Sequence, residues 1–415
     1  MRPGRGSCRA NPNRARRAPV PNGHRCGKRH RARSGPDPNA ARRMRRRGDR
    51  PTAPRSPRFA STDYDRTGMG TIVRDGEHHD AFVPRPMLRG GHAMTIYSWG
   101  NPRDFPRLPP PTRRFFDVAP GTRVAAACHW QTEPQRHATL LALHGLNGSS
   151  DAHYMRGLAA KAFEQGMNVV RLNQRNCGDT EHLSSGLFHS GLTADAAHVI
   201  DELMRVDGLA VIGVAGYSLG GNLALKLAGE YGRHAPPALL GVAAVSPIIE
   251  IEPCVVALER RENVLYNWNF VRDLKRRIRR RERFHPGQFD RRRLRAVRTV
   301  REFDETYTAP YFGFRSASDY YHRASAMRLV HRIAVPALII TADDDPFVPS
   351  QLFRDRRVAG NPHIQVHICE HGGHCGFVGP KNGNEDDGYW AERKIVNFFA
   401  SLVDVPELQH RSANA

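Results

Sequence analysis

Four short stretches hold side chains whose types and spacing suit acyl-transfer chemistry. The most informative is Val214-Ala215-Gly216-Tyr217-Ser218-Leu219-Gly220-Gly221-Asn222, a G-x-S-x-G string set directly after an apolar run and directly before a segment with helical spacing. A serine forced into a sharp strand-to-helix turn has its hydroxyl thrust above the sheet. The crowded backbone there tolerates only small residues two places before and two after, and Gly216 and Gly220 meet that need. Glycine and serine are common turn residues, so the five letters alone say little. The strand before and the helix after are what mark Ser218 as a nucleophile. The helix also points its first N–H groups toward the place where negative charge would develop.

A serine hydroxyl is a weak nucleophile at neutral pH, so it needs a base, and the base needs an orienting carboxylate. Both are expected downstream, in the order Ser, Asp, His. Thr341-Ala342-Asp343-Asp344-Asp345-Pro346-Phe347-Val348-Pro349 follows one apolar run, and Glu370-His371-Gly372-Gly373-His374-Cys375-Gly376-Phe377 follows the next. His374 is preferred over His371 as the base, because the small residues around it let a loop bring its imidazole close to the serine. Asp345 is preferred over Asp344, since an acid followed four residues later by Pro349 fits a turn at a strand end; Asp344 stays open as the alternative. A third loop, Leu141-Ala142-Leu143-His144-Gly145-Leu146-Asn147-Gly148, suits an oxyanion site. The backbone N–H groups of Leu146 and Leu219 are the expected donors. His144 is expected to brace that loop rather than move protons. His371 and His374 offer at most two metal ligands in a flexible loop, so no metal is expected. Cys375 reads as a small packing residue, because no second histidine is positioned to activate it.

These loops need a scaffold that brings them to one rim. Short apolar runs at Val124–Trp130, Thr139–Leu143, Met167–Leu172, Leu209–Ala215, Leu239–Val245, Val335–Thr341 and His363–Cys369 read as buried strands. Between most of them lie helical segments, at Tyr154–Phe163, Ala194–Met204, Asn222–Tyr231 and Trp390–Leu402. The alternation predicts an α/β fold, a mostly parallel central sheet flanked by helices. It breaks once, over residues 250 to about 320, where basic helical sequence (Arg272–Arg283, Arg291–Arg301) predicts a helical lid above the carboxyl edge of the sheet. Val271, Leu274 and Ile278 form a narrow apolar stripe at i, i+3 and i+7. It is flanked by Arg272, Lys275, Arg276, Arg277, Arg279 and Arg280, which are expected to face solvent or an anionic lipid surface.

The chain has 415 residues, 40% of them hydrophobic, enough for a substantial core. Its net charge is +22, yet residues 1–60 carry 19 Lys and Arg against only Asp37 and Asp49, so 17 of the 22 charges belong to that segment. Residues 1–68 are rich in Arg, Pro, Gly and Asn with almost no aliphatic side chains, and are expected to be a disordered arm. The arm has no Trp, and Phe59 is the one aromatic before Tyr64, so specific nucleic-acid binding is not expected. Peripheral contact with an anionic membrane through arm or lid remains a partner to consider. The catalytic domain is expected over residues 69–405 and a flexible tail over 406–415. Seven scattered cysteines without a C-x-x-C pair point to a reducing compartment, and the lack of a membrane-spanning run or a secretory h-region points to the cytoplasm. Oligomeric state is not readable here.

With these motifs in view, the sequence resembles the α/β-hydrolase superfamily and, within it, the YheT-like branch related to ABHD1 and ABHD3. The resemblance covers about residues 82 to 405. It is carried by Phe82-Val83-Pro84 with Leu88 to Thr95, Asn173 to Gly178, His189 to Asp195, Glu302-Phe303-Asp304, Gly313-Phe314, Asp319-Tyr320-Tyr321 with Ser325, Asp344-Asp345-Pro346-Phe347, and Gly372-Gly373-His374 with Gly376-Phe377. It implies Ser218 as nucleophile, Asp345 as orienting acid and His374 as base, with no cofactor. The implied activity is hydrolysis of carboxylic esters, of the short-chain carboxylesterase or acylglycerol lipase kind, with some family members acting on phospholipids. Acyl transfer, thioester cleavage or phospholipase action on the same triad are alternatives, and a non-enzymatic binding protein acting through the basic arm is a further one. The arm and Cys375 depart from the family pattern.

Overall fold

The computed structural model describes residues 71–74, 81–381, 383 and 386–403; the expected arm over 1–68 and tail over 406–415 lie outside the described residues. Nine strands build one sheet: β1 (Thr71–Arg74), β2 (Thr112–Ala119), β3 (Thr122–His129), β4 (Thr139–Leu143), β5 (Asn168–Asn173), β6 (Ile212–Tyr217), β7 (Leu239–Val245), β8 (Ala337–Ala342) and β9 (Ile364–Cys369). Their spatial order is β1-β9-β8-β7-β6-β4-β5-β3-β2. From β1 to β5 all pairs are parallel, whereas β3 runs antiparallel to both β5 and β2.

Strands β4 to β8 are buried along their whole length, as expected of a parallel sheet covered on both faces. Successive side chains point to opposite faces, and the core divides accordingly. Leu141, Leu143, Val214 and Val242 pack on one side with Val199, Ile200 and Leu203 of α3 (Ala194–Arg205) and Leu223 of α4 (Leu219–Tyr231). Leu140, Ala142, Ala215 and Ala243 pack on the other side. There they meet Met94 of α1 (Gly91–Gly100), Leu158 of α2 (His153–Glu164) and Ile395 of the helix Trp390–Val403.

Two strands leave no strong apolar run in the sequence. In β2 only Phe116 is buried, because the strand lies at the sheet edge and shows most side chains to water. It is joined to β3 by a tight turn in which Gly121 takes φ +64°, a left-handed conformation that suits glycine. β1 is only four residues long and pairs with β9 at the opposite edge.

Between β7 and β8 the chain leaves the sheet. Its longer helices there are α5 (Ile251–Leu258), α6 (Val264–Arg281) and the helix Ala317–Ala324. Val271, Leu274 and Ile278 all pack into the main core cluster. The flanking arginines are not uniformly solvated: Arg277 is 9% exposed and Arg281 is fully buried, so part of the basic face turns inward. The helix expected over Arg291–Arg301 is also corrected, to a single turn at Arg293–Arg295 and a new helix at Val300–Phe303. Thr299 and Glu302 form a capping box that starts this second helix, so the basic run is cut rather than continued.

Candidate active site

β6, β8 and β9 run parallel, so the loops that follow them emerge at the same edge of the sheet. Ser218 follows β6 directly and precedes α4, with φ +53° and ψ −114°. That conformation is sparsely populated for a residue with a side chain, and it persists only where the surroundings determine it. The neighbouring glycines supply the determination. A Cβ on Gly216 would lie 2.1 Å from the Gly220 carbonyl oxygen, and one on Gly220 would lie 2.2 Å from the Leu143 carbonyl oxygen.

His374 Nε2 lies 2.9 Å from Ser218 Oγ, and its Nδ1 lies 2.9 Å from Asp345 Oδ2 and 3.2 Å from Oδ1. The Asp345 side chain is fully buried. Its Oδ1 also accepts the backbone N–H groups of Phe347 and Val348, at 2.9 and 3.0 Å, which fixes the carboxylate at the strand end. Asp344, one residue earlier, takes a different direction: Oδ1 accepts from Gly373 N at 2.8 Å and Oδ2 faces His371 Nδ1 at 3.4 Å. Burial holds its carboxyl above the ordinary range. Burial alone would lower the pKa of His374, but the charge of Asp345, the neighbouring Cys375 and the hydrogen bond that Asp345 accepts outweigh it and hold the imidazole well above its usual value. The Phe347 ring packs edge-on against the imidazole, with centroids 4.8 Å apart.

The loop after β4 packs against the elbow, where a Cβ on Gly145 would meet the Ser218 Cβ at 3.3 Å. Gly145 N–H donates to the Tyr154 hydroxyl at 3.1 Å and is therefore occupied. The amides of Leu146 and Leu219 have no acceptor among the described residues. Leu219 is the first residue of α4, where the helix itself offers none. His144 is fully buried, and burial pushes its pKa down to about 4. Its Nε2 accepts from Gln174 N–H at 3.1 Å, so the neutral ring carries its proton on Nδ1, which donates to the Gly145 carbonyl at 2.8 Å. The imidazole thus braces the loop. Cys375 Sγ points at the Val245 carbonyl, 3.7 Å away, and its amide donates to Ser246 Oγ at 3.1 Å.

Three contributors are not evident from the residue types alone. Thr95 Oγ1 holds the His374 amide, Ser246 holds the next amide, and Asn147 links the loop after β4 to α6. Only Thr95 stands in one of the segments that carried the family resemblance. Ser218, His374, Leu146, Phe270 and Phe347 line two spaces at once. One is an apolar chamber of about 100 Å³ under the lid. The other is a larger cleft of about 770 Å³ bordered by Ile96, Trp99, Leu265 and Trp268. Among the described residues no group of three or more His, Cys, Asp or Glu side chains is placed to hold a metal ion. No described helix is long and apolar enough to cross a membrane.

Sheet order, elbow and lid define a class of protein, and comparison with known proteins agrees: residues 138–379 match the alpha/beta hydrolase fold family. "Putative esterase YheT" of Escherichia coli (strain K12) is 34% identical over 300 residues, covering 72% of this chain and 85% of that protein. "Phospholipase ABHD3" of Mus musculus is 30% identical over 273 residues, covering 64% of each. The crystal structure of a 2,6-dihydroxy-pseudo-oxynicotine hydrolase shares the fold, with a TM-score of 0.50 and 17% identity over 72% of this chain and 69% of that one. The chain belongs to the α/β-hydrolase family, in the group related to YheT and ABHD3.

Proposed function

We propose that the protein is a serine esterase that cleaves carboxylic esters through an acyl-enzyme, with Ser218 as nucleophile, His374 as base and Asp345 as the acid that orients it. The observation that carries this reading is the unbroken hydrogen-bonded chain from Ser218 Oγ through the imidazole to Asp345, with both links at 2.9 Å. His374 Nε2 takes the hydroxyl proton as Oγ bonds to the ester carbonyl carbon. The carbonyl oxygen becomes an oxyanion that the N–H groups of Leu146 and Leu219 receive. As the tetrahedral centre collapses, the C–O bond to the alcohol breaks and His374 returns its proton to the leaving oxygen. Water then attacks the acyl-enzyme, gives a proton to the same nitrogen, and the acid departs from Ser218.

The apolar chamber and cleft support lipid esters, acylglycerols or phospholipids, as the physiological class, in line with the name of the mouse relative. A yeast relative at 26% identity is named "Medium-chain fatty acid ethyl ester synthase/esterase 2", which supports an alcohol competing with water for the acyl-enzyme. The odd, scattered cysteine set supports a reducing compartment, and we assign the enzyme to the cytoplasm on that ground.

A fluorophosphonate probe tests the core of this reading. Labelling of wild-type protein and none of Ser218→Ala is expected, together with loss of p-nitrophenyl ester hydrolysis in a variant that still folds. Undiminished hydrolysis by Ser218→Ala would remove Ser218 from the mechanism. Adding ethanol and measuring ethyl ester separates transfer from hydrolysis.

A further inference from the structure

The wall of the smaller chamber contains a positive charge that no carboxylate contacts among the described residues. Arg277 lies on α6, is 9% exposed, and lines the chamber together with Ser218, Leu146 and His374. Its Nη2 donates to Asn147 Oδ1 at 2.8 Å, and among the described residues no acidic oxygen comes within 4.0 Å of the guanidinium. Other buried arginines are held in different ways: Arg103 meets Glu392 at 2.6 Å and Asp387 at 2.5 Å, Arg171 lies 3.6 Å from Asp151, and Arg281, which does not line the chamber, donates to Gln288 Oε1. Arg280, three residues along α6 from Arg277, is half exposed and still pairs with Glu181 at 2.8 Å. Taking a guanidinium out of water with one neutral amide as its partner is costly, because the amide replaces little of the lost hydration.

Among the described residues the acids nearby are directed to other partners: Glu181 pairs with Arg280. Asp304, also in the chamber wall, accepts from Thr308 Oγ1 at 2.6 Å and Tyr321 hydroxyl at 2.8 Å. His374 is occupied by Asp345 and Ser218. His144 and Cys177 feel the Arg277 charge only as an influence that lowers their pKa values, and burial keeps His144 neutral. Asn147 holds the arginine by its oxygen while its nitrogen donates to the Phe270 carbonyl at 3.0 Å, so the amide is fixed at both ends. A guanidinium has five N–H donors, and this bond uses one of them.

We infer that Arg277 receives an anionic group of the substrate, a carboxylate or a phosphate, so that the preferred esters carry a negative charge into the smaller chamber. The inference rests on the reading of Ser218 as the nucleophile and names the substrate class for that same site. Asn147 follows Leu146 in the chain, which sets the anion on the side of the oxyanion loop. Binding of this kind supplies the missing counter-charge and draws on a strong, charge-assisted hydrogen bond.

The test is kinetics on matched esters with the full chain. The carboxylate arm compares p-nitrophenyl hexanoate with p-nitrophenyl hydrogen adipate, after subtracting spontaneous hydrolysis. The phosphate arm compares a 1-monoacylglycerol with the 1-acylglycerol 3-phosphate of the same acyl chain. The expected result is a kcat/KM about 10-fold or more in favour of the anionic member of at least one pair. Arg277→Gln is expected to erase that ratio, mainly through KM, and Arg277→Lys to keep part of it. A wild-type enzyme without preference in either arm overturns the inference, as does a ratio unchanged in Arg277→Gln. Should Arg277→Gln fail to fold, wild-type inhibition decides: a monoalkyl adipate or an alkyl phosphate should inhibit hexanoate hydrolysis about 10-fold more tightly than the dialkyl adipate or the alkyl alcohol, and equal inhibition overturns the proposal. Absence of all hydrolysis, with Ser218 unlabelled by the fluorophosphonate, would instead sink the esterase reading itself.

Discussion

Thr95 Oγ1 accepts the backbone N–H of His374 at 2.8 Å and donates its own proton to the Gly91 carbonyl at 2.6 Å. One buried hydroxyl on α1 therefore holds the histidine loop from behind. Thr95→Val keeps the shape but leaves a buried N–H without an acceptor, which typically costs about 1–3 kcal/mol. Urea unfolding is expected to show that loss, and fluorophosphonate labelling is expected to slow as the imidazole drifts. Thr95→Ser should restore both. A valine variant as stable and as reactive as wild type would mean that the loop holds itself.

Asp345 and Asp344 are adjacent in sequence but serve different partners. Asp345→Asn turns an N–H group toward His374 Nδ1, favouring the tautomer that cannot take the serine proton, and a fall in kcat of about 1,000- to 10,000-fold is expected. Asp344→Asn retains an oxygen able to accept from Gly373 N–H, so its loss should stay under about 10-fold. Steady-state kinetics on one neutral ester separates the two, and equal losses would overturn the assignment of the orienting acid.

Most of the scaffold was legible because the central strands are buried on both faces and so appear as unbroken apolar runs, as in Thr139–Leu143 and Leu239–Val245. β2 was not, because seven of its eight side chains are at least partly exposed and its pattern reads as polar. The elbow and its two downstream loops were legible because each joins a strand end to a residue of fixed chemistry. The choice between adjacent acids was weaker in the sequence: Asp344 and Asp345 differ only in which way the turn aims them, and this depends on the amides of Phe347, Val348 and Gly373. Arg277 departs from the expectation of facing solvent or an anionic lipid surface for a related reason. Spacing on α6 puts it beside the apolar stripe, but only tertiary packing over the loop after β4 turns it inward toward Asn147.

The electrostatics of His374 sets a pH dependence. The imidazole acts as a base only when neutral, and Asp345 holds its pKa well above the ordinary 6.5 against the opposing pull of burial. Activity is therefore present at alkaline pH and is lost as the pH falls through the raised pKa. The acidic limb of kcat/KM is expected above pH 6.5. In Asp345→Asn the largest raising influence is gone while burial remains, so the residual activity should persist to lower pH. A wild-type limb below 6.5 that does not move in the variant would contradict this account.

Gly220 tests how tightly the elbow is bound to the oxyanion loop. A Cβ there would fall 2.2 Å from the Leu143 carbonyl oxygen and 2.7 Å from that of His144, and both are backbone atoms that cannot rotate aside. Gly220→Ala must therefore separate α4 from the end of β4, moving the Leu219 and Leu146 amides relative to each other. Overpacking of this kind costs about 1–3 kcal/mol or more. Gly90→Ala provides the control, since its Cβ would meet nothing within 4 Å and its φ of −147° suits any residue. Thermal unfolding should show a clear drop in Tm for the first and almost none for the second. Because the strain in Gly220→Ala falls on the two N–H donors, its esterase activity should fall further than its stability, with kcat bearing the loss. If the variant instead melts early while the folded fraction turns over normally, the elbow and the oxyanion loop are not coupled through this contact.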